Sequence, residues 1–320
     1  MGRNKVKRLK KLPISAISTA NQSTISAPSS ADLPASTAIP RADRRAKRSV
    51  VSRKVTQSTI SRFHVLLKRQ AYLKRRLTSD SNADESAVLI KEELAAIDQD
   101  IDALGGLDAY QIASTLGQSN ERGGDSSKVL VRWLEEIGLK REANSQGHRL
   151  RMLEIGALVP TNYAASSRWI ENTPIDLHSQ HPDILEEDFF KRTLPNSNEE
   201  AFDIVSCSLV LNFVSTPAER GKMLELIHKQ LKNESSNAFL FMVLPLPCLT
   251  NSRYVSLASF NELMSVVGFT LEKEQWKLGG KVGYWLWRKC ASEQDSSGKW
   301  RRKAILEDGP RRNNFAVILP

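Results

Sequence analysis

Arg149-Leu150-Arg151-Met152-Leu153-Glu154-Ile155-Gly156 decides the fold. It reads as a strand, apolar along most of its length, running straight into a glycine. Working outward from it, Pro174 to Leu177 forms a short second strand, Asp183 to Asp188 a third, and Phe202 to Ser208 a fourth. The segment Ala238 to Leu244 is apolar without interruption, as a strand buried on both faces of a parallel sheet must be. Between these strands the sequence carries helix signals. Thr216-Pro217-Ala218-Glu219 supplies an N-cap, a first-turn proline and a capping-box glutamate, followed by an apolar stripe through Met223, Leu224, Ile227 and Leu231. Ser259-Phe260-Asn261-Glu262 reads as the cap of another helix, ended by Gly268. Thr270–Trp276 and Tyr284–Arg288 close the pattern as two strands around a Gly279-Gly280 turn. Alternating strands and helices with a terminal hairpin define an α/β domain over residues 146–290, with 291–320 as a C-terminal extension.

Upstream the pattern is helical. Phe63, Leu66, Leu67, Leu73 and Leu77 fall near helical spacing among basic residues. Ile90, Leu94, Ile97, Ile101 and Leu104 step by four and three until Gly105-Gly106 stops them, so the two stretches are expected to pack as a hairpin. A third helix is expected from Ser127 to Ile137. Residues 56–145 thus form a helical N-terminal region. Residues 1–55 carry too little apolar surface to offset chain entropy, and are expected to be a disordered basic leader.

Charge is divided unevenly. Residues 1–80 hold 19 Lys and Arg against 3 Asp and Glu, whereas the remaining 240 hold 27 against 33. Such a concentrated excess suits a polyanion-binding arm, because phosphate contacts release counterions, and it equally suits a nuclear import signal. Cys207, Cys248 and Cys290 stand far apart with no metal-ligand spacing, which argues against structural zinc and disulfides; no metal is expected. The longest apolar run, Ala238 to Leu246, is too short to cross a bilayer, and no membrane partner is expected.

In doubly wound sheets the ligand lies beyond the carboxyl ends of the strands. Gly156 ends the first strand there and Asp176 ends the second, 20 residues later. A glycine admits the ligand to the backbone, and a carboxylate accepts hydrogen bonds from ribose hydroxyls. Nicotinamide and adenosylmethionine cofactors both use that arrangement. The loop Gly156-Ala157-Leu158-Val159-Pro160 lacks the further glycines a pyrophosphate requires, which favours S-adenosylmethionine. Taken alone, Asp176 is as readily a turn residue. Glu154 joins the candidate cofactor positions from the same strand end. Asp188 is a candidate for the cofactor's adenine amino group, or simply an acidic loop end. Beyond the fourth strand, Asn212 is a candidate for a base edge and Phe213 for stacking. The competing reading makes Leu209, Leu211 and Phe213 core and Asn212 a turn residue.

Several longer segments resemble the fungal nucleolar methyltransferases acting on ring nitrogen one of an adenine in 25S rRNA. They are Gly105-Gly106-Leu107 with Ala109-Tyr110-Gln111, Arg122-Gly123-Gly124-Asp125, LEIGAL at 153–158 and TPIDLHSQHPDI at 173–184. EEDFF at 186–190, SLVLNFV at 208–214, ERGKML at 219–224 and VLPLPCLTNSRY at 243–254 continue the likeness. The resemblance implies a class I methyltransferase Rossmann-like sheet, with Gly156 and Asp176 at the S-adenosylmethionine site. It implies large-subunit rRNA or a pre-ribosome as partner, and the nucleus and nucleolus as location. A metazoan branch of this family offers the alternative, a sensor that binds S-adenosylmethionine and regulates protein partners without methyl transfer.

Overall fold

A computed structural model describes residues 84–106, 126–233, 237–292 and 298–320, together with most of 62–77. The basic leader, Ala109-Tyr110-Gln111 and Arg122-Gly123-Gly124-Asp125 lie outside the described residues.

The sheet has seven strands: β1 (Leu150–Ile155), β2 (Ile170–Asp176), β3 (Leu185–Glu186), β4 (Ile204–Ser208), β5 (Phe239–Pro245), β6 (Phe269–Gln275) and β7 (Val282–Lys289). Their order is β3-β2-β1-β4-β5-β7-β6. The first five are parallel, and β7 is inserted antiparallel between β5 and β6. Chain direction therefore places the ends of β1, β2, β3, β4 and β5 on one edge. The order reverses between β1 and β4, which is where such sheets open a crevice for a ligand.

β5 shows why the sheet has helices on both faces. Phe239, Phe241 and Val243 pack with Leu130, Trp133 and Leu134 of α2 (Ser126–Glu136) and with Leu139 and Ala143 of α3 (Leu139–Gln146). The alternate residues Leu240, Met242 and Leu244 pack with Met223, Leu224 and Ile227 of α4 (Pro217–Gln230), and with Phe260, Leu263 and Met264 of α6 (Leu257–Val267). The two-residue period of a strand thus divides one apolar run between two cores. A short helix, α5 (Pro247–Thr250), leaves the end of β5.

Upstream, the described residues between 62 and 77 are helical, as is α1 (Asp84–Ala103). Phe63 and Leu73 pack with Ile90, Ile97 and Ile101 in a cluster of their own, and Arg69 forms a two-pronged ion pair with Glu93. The packing expected between these two helical stretches is present among the described residues.

Three local expectations change. α3 is an additional helix, set between Gly138 at φ +90° and Gly147 at φ +67°; only Leu139 and Ala143 are buried, too few for a visible stripe. The cap of α6 is Ser256 rather than Ser259. Ser259 is the third helical residue, and its hydroxyl returns the bond that a glutamate makes in the usual capping box. The expected alternation also fails in the first half of the sheet. Only the 3-10 turns Ala164–Ser166 and Phe189–Lys191 separate β1, β2, β3 and β4.

The C-terminal residues belong to the core. Trp300, Phe315, Val317 and Leu319 are buried with the α4 and α6 residues, each side chain worth about 1.5–3 kcal/mol on burial. Arg220 of α4 donates to the Ala316 carbonyl at 2.7 Å and lies over the Phe315 ring. A Cβ on Gly221 would stand 1.9 Å from the Ile318 carbonyl oxygen, so α4 needs glycine there to admit the tail.

Candidate functional site

The site forms where β1, β2 and β4 end. Register sets Glu154 beside Pro174 of β2 and Ser206 of β4, while Asp176 pairs with Glu186. Glu154 is only 7% exposed. One of its carboxylate oxygens accepts from Asn162 Nδ2 at 2.6 Å, the other from Asn172 Nδ2 at 2.7 Å. A carboxylate buried at a sheet end would be costly without such donors. Here it fastens the loop after β1 to β2.

Gly156 has φ +74°, a left-handed conformation that favours glycine. Its N–H and that of Ala157 both donate to the Ile175 carbonyl, at 2.8 and 3.0 Å. A Cβ on Gly156 would approach Val210 Cγ2 to 2.4 Å. The glycine therefore lets the loop after β4 lie directly against the end of β1.

Asp176 is half-buried at the end of β2, and its Oδ1 accepts from the His178 N–H at 2.9 Å. Asp188 acts locally. Its Oδ1 accepts from the Phe190 N–H at 3.0 Å and caps the turn Phe189–Lys191, with Lys191 Nζ 3.7 Å from the other oxygen.

The loop after β4 holds the most unusual backbone. Leu209 at φ +57° is the one non-glycine residue with positive φ among the described residues. A branched side chain in that region is strained, and such strain gathers at functional sites. Two bonds hold it: the Leu209 N–H donates to Val243 of β5 at 2.9 Å, and the Phe213 N–H to Val210 at 2.8 Å. Ser208 shares a 3.0 Å hydrogen bond with Ser126, the first residue of α2. Asn212 is 8% exposed, and its Oδ1 has no hydrogen-bond partner among the described residues. Burial pushes the Cys207 thiol up to about 12, so β4 offers no thiolate nucleophile.

Sequence reasoning located Glu154, Gly156, Asp176, Asp188 and Asn212 on this edge. It missed Asn162 and Asn172, the strained Leu209, and Val210 against the glycine. An asparagine inside a strand is an unfavourable choice for a strand residue, and Asn172 could have been noticed for that reason.

A parallel five-stranded core, one inserted antiparallel strand and a strand order that reverses between β1 and β4 define the class I methyltransferase fold. A family model described as 25S rRNA (adenine(2142)-N(1))-methyltransferase, Bmt2, matches residues 95–317, and the chain belongs to this family. The 25S rRNA (adenine(2142)-N(1))-methyltransferase of Saccharomyces cerevisiae is 34% identical over 265 residues, covering 82% of this chain and 72% of that protein. The 25S rRNA adenine-N(1) methyltransferase of Schizosaccharomyces pombe is 35% identical over 261 residues, covering 81% and 89%. Among solved structures, the N-methyltransferase NodS from Bradyrhizobium japonicum, in complex with S-adenosyl-l-homocysteine, matches 48% of this chain and 85% of its own, with TM-score 0.33 and 12% identity.

Proposed function

We propose that this chain transfers the methyl group of S-adenosylmethionine to ring nitrogen one of an adenine in large-subunit rRNA. The observation that carries the reading is family membership over residues 95–317, joined to a site whose residues suit that cofactor. At the carboxyl edge, Asp176 offers a half-buried carboxylate for the ribose hydroxyls. Gly156 lets the loop after β4 lie against the end of β1, and Asn212 holds a buried acceptor that lacks a donor among the described residues. Glu154 acts through Asn162 and Asn172, fixing the loop rather than meeting the ligand with a free oxygen. Asp188 serves as a cofactor contact only through the oxygen not used in its cap.

The bound cofactor supplies an electrophilic methyl group on a sulfonium. Adenine's ring nitrogen carries an in-plane lone pair at neutral pH, so no strong base is required of the protein. Its work is orientation, which alone can supply several powers of ten. Asn212 is assigned to hold the base edge beside the end of β4, with Phe213 next to it for stacking. The target nitrogen lies on the pairing edge of the base, so the adenine must be unpaired or flipped out.

The basic leader at residues 1–55 suits contact with rRNA in a pre-ribosome and residence in the nucleus and nucleolus. Imaging a tagged full chain against one lacking residues 1–55 tests the location: unchanged nucleolar signal without the leader removes its role. The activity is tested by incubating the protein with labelled S-adenosylmethionine and transcribed yeast 25S rRNA, then digesting the RNA and separating the nucleosides. N1-methyladenosine is the expected product. Cofactor binding without any methylated nucleoside would refute the enzyme reading in favour of a sensor.

A further inference from the structure

We infer that the C-terminal loop from Arg302 to Arg311 is a preformed phosphate-contacting surface for RNA, on the acceptor side of the site. The inference rests on the RNA-methyltransferase reading and adds the surface that holds the substrate. Charge is the first observation. Residues 81–297 hold 21 Lys and Arg against 31 Asp and Glu, whereas residues 298–320 hold six against two. The tail is thus a basic strip on an acidic body.

Placement is the second. With ribose at Asp176 on the β2 side, the transferable methyl and its acceptor belong on the other side of β1, towards β4 and β5. α5 leaves the end of β5, and the loop is fastened to the residues around it. Asn313 Nδ2 donates to the Pro247 carbonyl at 2.6 Å, Asn251 Nδ2 to the Arg311 carbonyl at 3.0 Å, and the Leu306 N–H to the Arg253 carbonyl at 2.7 Å.

The loop is also built rather than loose. The Arg253 guanidinium donates to the carbonyls of Arg312 and Gly309, at 2.8 and 2.7 Å, and to Asn314 Oδ1 at 2.7 Å. Its Nε also meets Asp308 Oδ1 at 3.2 Å, and Arg312 pairs with Glu307. Both acidic residues of the loop are therefore paired with arginines flanking it, Asp308 with Arg253 and Glu307 with Arg312. Arg302, Lys303 and Arg311 are left exposed, with no carboxylate at ion-pair distance among the described residues. Lys303 Nζ stands 5.3 Å from the centre of the Tyr254 ring, which steadies it beside α5. A loop ordered beforehand loses less freedom on binding, as a surface selected for recognition should.

The test uses the full chain carrying Arg302→Gln, Lys303→Gln and Arg311→Gln together, with transcribed yeast 25S rRNA as probe. A control variant removes three cations near the opposite edge, by Arg149→Gln, Arg168→Gln and Lys229→Gln. If each of the three loop cations holds a single-strand phosphate, the log–log salt slope should fall by about 2, and affinity at 0.15 M salt by roughly tenfold to fiftyfold. S-adenosylmethionine affinity and the melting temperature should stay at wild-type values, and the control should bind RNA as wild type does. An unchanged slope in the loop variant would overturn the inference, as would an equal loss in the control. If the wild type itself neither binds nor methylates the RNA, the functional reading fails and the inference with it, and that outcome is visible before any variant is made.

Discussion

Replacing Gly156 by alanine tests the geometry of the site at its tightest point. Two separable penalties follow from the structure. The backbone there has φ +74°, which costs a residue with a Cβ about 1–2 kcal/mol. The new Cβ would also lie 2.4 Å from Val210 Cγ2, and valine has little rotamer freedom with which to withdraw. Overpacking of this kind costs about 1–3 kcal/mol. Gly156→Ala should therefore lose about 2–5 kcal/mol, a fall in melting temperature of roughly 4–20 °C for a domain of this size. Val210→Ala removes the obstructing methyls from a half-buried side chain. In the double variant the steric share should return while the backbone share remains, giving a coupling of about 1–3 kcal/mol. Denaturant unfolding of the four proteins measures the cycle, and an S-adenosylmethionine titration on the same samples separates binding from folding. A Gly156→Ala protein within about 0.5 kcal/mol of wild type, or a strictly additive double variant, would refute the contact. A bulkier probe such as Gly156→Arg carries the same two penalties, so weakened cofactor binding in it would not by itself locate the cofactor.

Asp176→Ala should weaken S-adenosylmethionine binding by roughly ten- to a hundredfold, the worth of one charged hydrogen bond, as read by calorimetry; unchanged affinity would remove the ribose assignment. Asn212→Ala should lower the single-turnover methylation rate about a hundredfold with cofactor affinity preserved, since small misplacements cost that much. Its Oδ1 has no partner among the described residues, so the melting temperature should barely move; a folded variant of full activity excludes Asn212 from the acceptor site. Burial, with help from the charges on Lys289 and Lys229, holds His228 below its ordinary value against the opposing bond to the Cys290 carbonyl. The unfolded chain then takes up the proton first, so this share of stability is complete above about pH 6.5 and declines as pH falls below it. Melting curves between pH 8 and 5.5 should show the decline in wild type and a flatter profile in His228→Gln.

What the sequence revealed depended on how local the signal was. β5 was legible because burial on both faces leaves an unbroken apolar run, and the start of α4 because Thr216, Pro217 and Glu219 carry the whole cap within four residues. Gly156 and Asp176 were legible as strand ends. The rest needed partners distant in the chain. Phe315, Val317 and Leu319 read as an extension until the groove between α4 and α6 exists to receive them. The helix-free crossovers between β1 and β4 were hidden because a sequence that merely lacks a helical stripe resembles one with a weak stripe.

Those helix-free crossovers explain the arrangement around Glu154. In a sheet of this kind, a helix after β1 ordinarily packs the connection down and fixes the loop that meets the ligand. Here residues 156–169 contain one 3-10 turn, so the loop needs another anchor. Glu154 provides it from the strand, holding Asn162 within the loop and Asn172 on the neighbouring strand with its two oxygens. Tyr163 and Trp169 are buried against the α2 and α3 side of the sheet and hold the same segment from below. Opposite, the strained Leu209 and the Val210 contact set the loop after β4 against Gly156. Each loop is thus held by strand residues and by the other loop. A substitution at Val210 or Asn172, neither of which is assigned a cofactor contact, should therefore disturb the crevice as surely as one at Asp176.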